Sequence, residues 1–223
     1  RVVFMGCNPR HHTLGVTTKR GPGQLLHLML EVRTLDDVGL ALDRAHRMHK
    51  AGFLPSLTLD LDAARARAAQ ALLNATKDGS LRNGPKDDTY DASLAQAAIL
   101  GFPNRDVCES TMQSIARALA VQTGGKETGF YFRYLRTDDF GRPQSSFVIC
   151  SFWVVQGLAR LGRMAEAQQI MAQVLTGANH LGLFSEHFVP ETRTQLGNFP
   201  QAYSHVGLIN AAFAVSPSWT TVL

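Results

Sequence analysis

The stretch SSFVICSFWVVQGLARLGRMAEAQQIM, residues 145–171, decides the fold of this chain. Its apolar residues predict one helix over 146–161 and a second over 164–177. Only Gly162 and Arg163 separate the two helices, which indicates an antiparallel helical hairpin. Apolar residues lie on more than one side of the first helix, so we expect an inner helix. Its aromatic residues should be buried between hairpins: Phe147, Phe152 and Trp153.

Further helices are predicted on both sides of this hairpin. Turn signals rich in Gly, Pro and charged residues separate them. The predicted ranges are 62–76, 90–101, 107–122 and 201–215. Successive helical hairpins indicate a stacked or closed helical array.

The first 52 residues have a different pattern of residue types. Apolar and β-branched runs with Gly-Pro-Gly turns predict three strands within 1–33, and a helix follows Thr34 and ends near Gly52. The fold class is therefore mostly α, with a small α+β N-terminal piece. We predict a β-β-β-α unit at 1–52, a linker at 53–61 and a helical domain at 62–223.

Composition narrows the function classes. Apolar residues make up 45% of the chain, charged residues 18%, and the net charge is +4, as in ordinary soluble globular proteins. Basic runs interleaved with aromatic residues are absent, and no apolar run approaches 18 residues, so we expect neither a nucleic-acid nor a membrane partner. Three widely spaced cysteines, Cys7, Cys108 and Cys150, predict reduced thiols in a cytoplasmic protein. Because the chain starts at Arg1 with strand character, we also expect a piece of a longer protein.

One carboxylate in the C-terminal part is a candidate for chemistry. Glu186 stands between Phe184 and Phe188 in a predicted loop, where partial desolvation would raise its pKa. Hydrogen-bonding side chains suited to a ligand with many hydroxyls follow it: Gln195, Asn198, Gln201, Tyr203, Ser204 and His205. The alternative is that Glu186 is a solvated loop charge and that Tyr203 and His205 cap a helix.

Four segments of residues 62–215 carry a family resemblance. They are DASLAQAAILGF (91–102), GFYFRYLRTDDF (129–140), the hairpin 145–171 and LGLFSEHFVPETRTQLGNFPQAYSHVGLINAA (181–212). This region resembles the C-terminal half of the glucoamylase/trehalase-like inverting α-glucoside hydrolases of glycoside hydrolase family 15. The resemblance implies a partial α/α toroid of helical hairpins, and an active site that needs no cofactor.

The same resemblance implies roles for individual residues. Glu186, in its Leu-Phe-Ser-Glu context, matches the catalytic general base, which activates a water to attack the anomeric carbon. Tyr203, Ser204 and His205 are the expected substrate-binding residues. In the family the general acid is typically a Glu after a Trp, but neither Trp153 nor Trp219 is followed by Glu. The general acid is therefore expected to be missing from this chain.

Histidines in the N-terminal part point to a different chemistry. His11 and His12 alternate along a predicted strand, so at most one of them can share a site with His27. Imidazole is a common ligand of divalent iron and zinc, although from the residues alone histidines on a strand surface or in a polar core are the favoured explanation.

This part resembles the catalytic module of type I extradiol dioxygenases, which have the vicinal-oxygen-chelate fold. The matching segments are CNPRHHT (7–13) and LLHLMLEVRTLDDVGLALDRA (25–45). The resemblance implies that His27 is an Fe(II) ligand and that His12 is the second-sphere acid/base histidine. Glu31 does not match the family's glutamate ligand, because it belongs to the same strand as His27.

Three functions remain open at this stage. An α-glucoside hydrolase acting on a small oligosaccharide is favoured, since about 150 residues match it and about 50 match the dioxygenase. The alternatives are an Fe(II)-dependent extradiol (catechol-type) dioxygenase fragment and a chimeric chain without complete activity. An incomplete toroid would expose apolar helix faces, so we expect a homo-oligomer through those faces.

Overall fold

The computed structural model describes residues 2–5, 14–17, 24–28, 35–53, 60–84, 86–139 and 141–217. The chain forms two compact units, Arg1–Ala68 and Ala69–Leu223. The mostly α fold class with a small β-rich N-terminal piece is confirmed. None of the helices described here is long and apolar enough to span a membrane.

The N-terminal unit contains the predicted β-β-β-α arrangement. Strands β1 (Val2–Met5), β2 (Leu14–Thr17) and β3 (Gln24–Leu28) form one antiparallel sheet in that order, and helix α1 (Leu35–Lys50) follows. Alternating apolar and β-branched residues in short segments explain the strands. Most of the predicted linker, residues 54–59, lies outside the described residues, so the predicted domain boundaries stay a prediction.

The second unit is built on helices close to those predicted. Asp91 and Asn104 accept hydrogen bonds from backbone N–H groups at two helix starts, as N-cap residues do. The predicted helix 90–101 is a 3-10 turn, Ala92–Ala95, followed by a single α turn, because Gly101 with φ +76° ends it. The helices are α2 (Leu61–Asn74), α3 (Gln96–Ile99), α4 (Arg105–Leu119), α5 (Val148–Arg160), α6 (Met164–Leu175) and α7 (Ala202–Val215).

Helix α5 is the centre of the core in this unit. It packs against α6, α7 and α3, and its buried residues lie all around its axis, which confirms the inner helix. Phe152 is fully buried as predicted, and Gly207 of α7 lets that helix approach the Phe152 side chain closely. Phe147 and Trp153 are only half-buried, so their predicted burial was too strong: they pack against the edge of the core.

Two small sheets were not predicted. Strands β4 (Ala120–Thr123) and β5 (Lys126–Tyr131) form a hairpin, because Gly124 and Gly125 both adopt positive φ, as a two-residue hairpin turn requires. The predicted helix 107–122 therefore ends at Leu119. Strands β6 (Ser146–Phe147), β7 (His187–Val189) and β8 (Thr194–Leu196) form a three-stranded antiparallel sheet.

Candidate active site

The β6-β7-β8 sheet positions Glu186. Ser146 pairs with Phe188 and Phe147 pairs with His187, which joins the start of α5 to β7. Glu186 extends this pairing by its backbone: its carbonyl accepts from the Val148 N–H, and its N–H donates to the Asn198 carbonyl, both at 3.0 Å. Glu186 lies, as predicted, in the segment between two helices, at a bend directly before β7. Its backbone is bonded on both sides to sheet and turn residues that lie far away in sequence.

Both oxygens of the Glu186 carboxylate accept hydrogen bonds. The Tyr203 hydroxyl donates to Oε1, while the Asn198 N–H and the Asn198 side-chain Nδ2 each donate to Oε2 at 3.1 Å. Tyr203, followed by Asn198 and the nearby His187, lowers the pKa of Glu186 below its ordinary value of 4.5, although burial acts in the opposite direction. The predicted increase of this pKa is wrong, because donors converge on the charged form. Glu186 is thus ionised at neutral pH and can accept a proton.

Tyr203 stays a donor to this carboxylate at every physiological pH. Burial, together with the Glu186 carboxylate, raises the pKa of Tyr203 to about 12. The Phe147 ring packs edge-on against the Tyr203 ring, with a centroid distance of 5.7 Å. Tyr203 of α7 therefore bonds the Glu186 carboxylate directly, and Phe147 of β6 packs against the Tyr203 ring that makes this bond.

Sequence reasoning did not select Gly197, which also shapes the site. Its φ is +76°, and a Cβ at this position would lie 2.7 Å from Glu186 Oε2 and 3.0 Å from Glu186 Cβ. Only glycine combines this backbone conformation with the close approach. The glycine between Leu196 and Asn198 is a sequence signal for a turn, but it does not reveal which side chain packs on it.

His187 is a second residue that was not selected. Its Nδ1 lies 3.2 Å from both the Ser145 hydroxyl and the Ser146 carbonyl, and its ring packs against Phe147 at 4.9 Å. Since its charge helps to lower the Glu186 pKa, His187 belongs to the electrostatic surroundings of the carboxylate. In the sequence, the only indication that His187 belongs to the site is its position directly after Glu186.

Ser204 and His205 form hydrogen bonds with the backbone of the two residues that precede Glu186. The buried Ser204 hydroxyl donates to the Ser185 carbonyl at 2.9 Å. His205 Nε2 lies 3.3 Å from the Phe184 N, which donates to it, and its Nδ1 lies 2.8 Å from the Gln201 carbonyl. This pattern corresponds to the tautomer with its proton on Nδ1. Substrate contact by Tyr203, Ser204 and His205 stays a prediction.

The histidines of the N-terminal unit are only partly within the described residues. His27 lies on β3, paired with Gly15 of β2, whereas His12 lies outside the described residues. Among the side chains that the structure describes, no three or more His, Cys, Asp or Glu residues lie together as a metal site requires. The His27 side chain is not among those described, so its role as an iron ligand stays a prediction.

Comparison with known proteins identifies the class of the second unit. The family model "Glycosyl hydrolases family 15" matches residues 163–213, which include Glu186, Gly197, Asn198 and Tyr203. A solved glycosidase in complex with glucose superposes with a TM-score of 0.65 at 19% identity, covering 84% of this chain and 53% of that chain. At this identity the likeness establishes the fold alone: part of a glycosidase-type α/α toroid.

The sequence similarity is more specific. The trehalase of Mycolicibacterium smegmatis is 37% identical over 142 residues, 62% of this chain and 21% of that protein. This chain thus spans about a fifth of the length of that relative. The predicted resemblance of the second unit to glucoamylase/trehalase-like glycosidases is confirmed.

The N-terminal residues match a different class of protein. The iron-dependent extradiol dioxygenase of Rhodococcus jostii is 57% identical over 44 residues, 20% of this chain and 15% of that protein. This short match confirms the second predicted resemblance.

Proposed function

We propose that this chain carries the general-base half of an inverting α-glucoside hydrolase site of the trehalase type. The supporting observation is the Glu186 carboxylate, held ionised by Tyr203 and Asn198 within the segment that the family 15 model matches. The substrate class is a small oligosaccharide or α-glucoside, and the reaction needs no cofactor.

In this proposal Glu186 takes the proton of an attacking water. Oε1 accepts a hydrogen bond only from Tyr203 among the described residues, so it retains a lone pair for a water molecule. The water attacks the anomeric carbon from the face opposite the leaving oxygen while its proton passes to Glu186. A second carboxyl, about 6.5–9.5 Å from the first, must protonate the leaving oxygen. We assign that general acid to a part of the fold that these 223 residues do not supply.

Substrate binding and location complete the proposal. Tyr203 borders the sugar-binding side, and its hydroxyl is able to accept from a sugar while it donates to Glu186. Ser204 and His205 contribute to sugar binding by holding the backbone of residues 184 and 185 through their hydrogen bonds. The buried thiols Cys108 and Cys150 are free, which suits a reducing, cytoplasmic compartment. Exposed apolar residues on α7, Val206, Ile209 and Phe213, offer a face for a homo-oligomer.

The test uses a protein that contains these residues together with the proposed general acid, called the parent, and compares its hydrolysis with that of its Glu186→Gln variant. We expect release of glucose from trehalose or maltooligosaccharides, with the anomer from maltooligosaccharides seen as β by proton NMR. Glu186→Gln should lower kcat by roughly 10²–10⁴-fold, with KM nearly unchanged, because it removes the base and keeps the shape. Glu191→Gln is the matched control, since Glu191 is an exposed carboxylate of the same segment.

Two results would contradict the proposal. A Glu186→Gln variant with the parent rate removes Glu186 from the mechanism, and release of the α anomer from maltooligosaccharides removes inversion. If the parent shows no turnover, binding of trehalose decides: no change in the proton–nitrogen NMR signals near Glu186 would exclude the site as a sugar site.

An extradiol dioxygenase fragment is the second candidate, favoured by the 57% identity over 44 residues. In that proposal His27 binds Fe(II), the metal that would activate dioxygen, and His12 acts as the second-sphere acid/base. The parent should take up Fe(II) stoichiometrically under anaerobic conditions and His27→Ala should not, as measured by elemental analysis. His180→Ala, in the second unit, is the control, and a parent without uptake disposes of this proposal.

A chimeric chain without complete activity is the remaining possibility. An intact mass of 24.4 kDa for the purified polypeptide, together with no turnover and no iron uptake, would favour it. A larger mass would mean that the polypeptide contains further residues, and the activity assays would then be decisive.

A further inference from the structure

A cavity of about 270 Å³ lies in the second unit, between α4, α5 and the start of α6. Met112 and Ala116 of α4 and Val154 and Leu158 of α5 form its apolar wall. A cavity of this size suits a molecule of about ten heavy atoms, since drug-sized ligands occupy larger pockets.

The cavity is separate from the Glu186 site. Glu186 bonds to Val148 at the first residue of α5, whereas the cavity is lined by residues 154 and 158 of the same helix. At 1.5 Å per residue, Leu158 lies about 15 Å further along the axis than Val148. None of the groups that hold the Glu186 carboxylate lines the cavity.

Tyr131 supplies a hydrogen-bond donor to this cavity. Its side chain lines the cavity although the residue is only 3% exposed, and its N–H donates to the Ser151 hydroxyl at 3.1 Å. Within the described part of the chain the Tyr131 hydroxyl has no partner, and no fully buried side-chain oxygen or nitrogen there is left unpaired. The hydroxyl is therefore accessible from the cavity. Burial and the carboxylates of Glu127 and Glu166 raise the pKa of Tyr131 well above its usual range, so the group donates at neutral pH.

Two arginines line the cavity as well. Arg163 is neutralised: it pairs with Glu166 and lies 3.9 Å from Glu109. Arg117 has no carboxylate partner among the described residues, and its contact with the Ser114 hydroxyl is long, at 3.4 Å. Glu166 and Gln113 line the cavity too, and the Glu166 carboxylate is paired with Arg163. The lining thus combines that ion pair with one further positive charge, neutral donors and an apolar wall.

We propose that this cavity binds a small carboxylate with an apolar, ring-sized body. The carboxylate accepts from the exposed Arg117, which has no carboxylate partner among the described residues, and from the Tyr131 hydroxyl. The body covers the wall formed by Met112, Val154 and Leu158. A doubly charged anion fits less well, because Arg117 is the single uncompensated cation of the lining. A fully apolar molecule would leave the Tyr131 hydroxyl desolvated without an acceptor.

The experiment measures binding of 3-phenylpropionate to the full chain by isothermal titration calorimetry. The neutral isostere 3-phenyl-1-propanol is titrated in parallel. We expect 1:1 binding of the carboxylate, at least tenfold tighter than the alcohol. Arg117→Gln should weaken binding by about tenfold or more and Tyr131→Phe by about three- to tenfold, as removal of a charged and of a neutral hydrogen bond predicts. Because the readout is binding, its outcome does not depend on hydrolysis at Glu186.

Controls separate a lost site from a misfolded chain. Arg142→Gln removes an exposed arginine far along the sequence from the cavity and should bind like the parent. Ala116→Phe, which fills the cavity, should abolish binding while the helical circular dichroism is kept. The proposal is overturned if the parent does not bind the carboxylate, if the alcohol binds equally well, or if Arg117→Gln and Tyr131→Phe both bind like the parent.

Discussion

In the two units of this chain, the percentage of identity to a known protein and the number of site residues brought together do not rise in parallel. The N-terminal unit is 57% identical to a dioxygenase, but over 44 residues, and the described part of it places one candidate ligand, His27, on a strand. The second unit is only 37% identical to a trehalase, but over 142 residues, and it surrounds Glu186 with donors. A site needs residues that converge from distant positions, so the length of a match matters more than its identity.

The Glu186 region shows this convergence directly. Glu186 directly precedes β7. Its carboxylate accepts hydrogen bonds from Tyr203 of α7 and from Asn198, which lies in the turn before α7. Its backbone carbonyl accepts from the N–H of Val148 in α5. The following predictions test whether the second unit depends on these partners as closely as the structure indicates.

The largest expected effect is on stability. Phe152→Ala should lower the free energy of unfolding of the second unit by about 3–5 kcal/mol, because it removes a fully buried ring. The ring packs edge-on against Phe184 at 5.5 Å, two residues before Glu186. Urea unfolding followed by circular dichroism measures the change. Trp153→Ala, at a half-buried neighbouring position, should lower the free energy of unfolding by less than Phe152→Ala does. Equal losses in the two variants would mean that α5 is not the inner helix of the core.

The next largest effect is expected on kcat, from the close contact between Gly197 and the Glu186 side chain. Gly197→Ala should lower kcat on the order of tenfold to hundredfold, because its Cβ would displace Glu186, as a misplaced catalytic group does. Gly182→Ala is a matched control: its φ is +77°, as strained for alanine, but nothing lies within 4 Å of its Cβ. Both variants should lose about 1–2 kcal/mol of stability from backbone strain. A Gly182→Ala enzyme that is as slow as Gly197→Ala would refute the role of the Glu186 contact.

A smaller effect is expected on pH dependence. Tyr203→Phe removes the main cause of the lowered Glu186 pKa, so that pKa should rise toward 4.5. Because the ionised form acts as base, the acidic limb of kcat/KM should move to higher pH. The stability that ionised Glu186 contributes is present above its unfolded pKa and lost as pH falls through the folded pKa; in Tyr203→Phe this loss should occur at higher pH.

Carbon NMR of the Glu186 carboxyl measures the same shift without an activity assay. Tyr134→Phe is the control, since the Tyr134 hydroxyl donates to Asp138 and not to Glu186. An acidic limb that moves equally in both variants would show that Tyr203 does not set the Glu186 pKa.

The smallest effect concerns association. Ile209 and Phe213, on the apolar face of α7, are 53% and 61% exposed. Replacing both by serine should abolish self-association in sedimentation velocity, with stability changed by only about 0.5 kcal/mol, as at other surface positions. Asn210→Ser on the same helix should associate like the parent. A parent that is monomeric at all concentrations would contradict the proposed homo-oligomer.

Several elements could be predicted because their causes are local. The hairpin of α5 and α6 follows from two apolar helical segments joined by Gly162 and Arg163. The three N-terminal strands follow from β-branched runs between glycine turns. Glu186 was selected from its aromatic neighbours and from a family resemblance, both of which can be seen in one stretch of sequence.

Other features have causes that no local pattern contains. The pairing of Ser146 with Phe188 joins residues about forty positions apart, so the sheet that carries Glu186 was not predicted. For the same reason its pKa was predicted in the wrong direction: Phe184 and Phe188 are adjacent in sequence, but Tyr203 and Asn198 reach the carboxylate only after folding.

The sequence by itself determined that this protein is mostly helical and that its first 52 residues have a different, strand-rich pattern. It also selected Glu186 as the candidate catalytic carboxylate. Periodicity, turn residues and family motifs are properties of neighbouring residues, and they survive without coordinates. Only the tertiary structure decided that Glu186 is ionised and that Gly197 must be glycine. It also decided that Tyr131 presents a hydroxyl without a partner among the described residues to the cavity between α4, α5 and α6. Those properties depend on distances between atoms that the chain brings together by folding, because hydrogen bonds and steric contacts act only over a few ångströms.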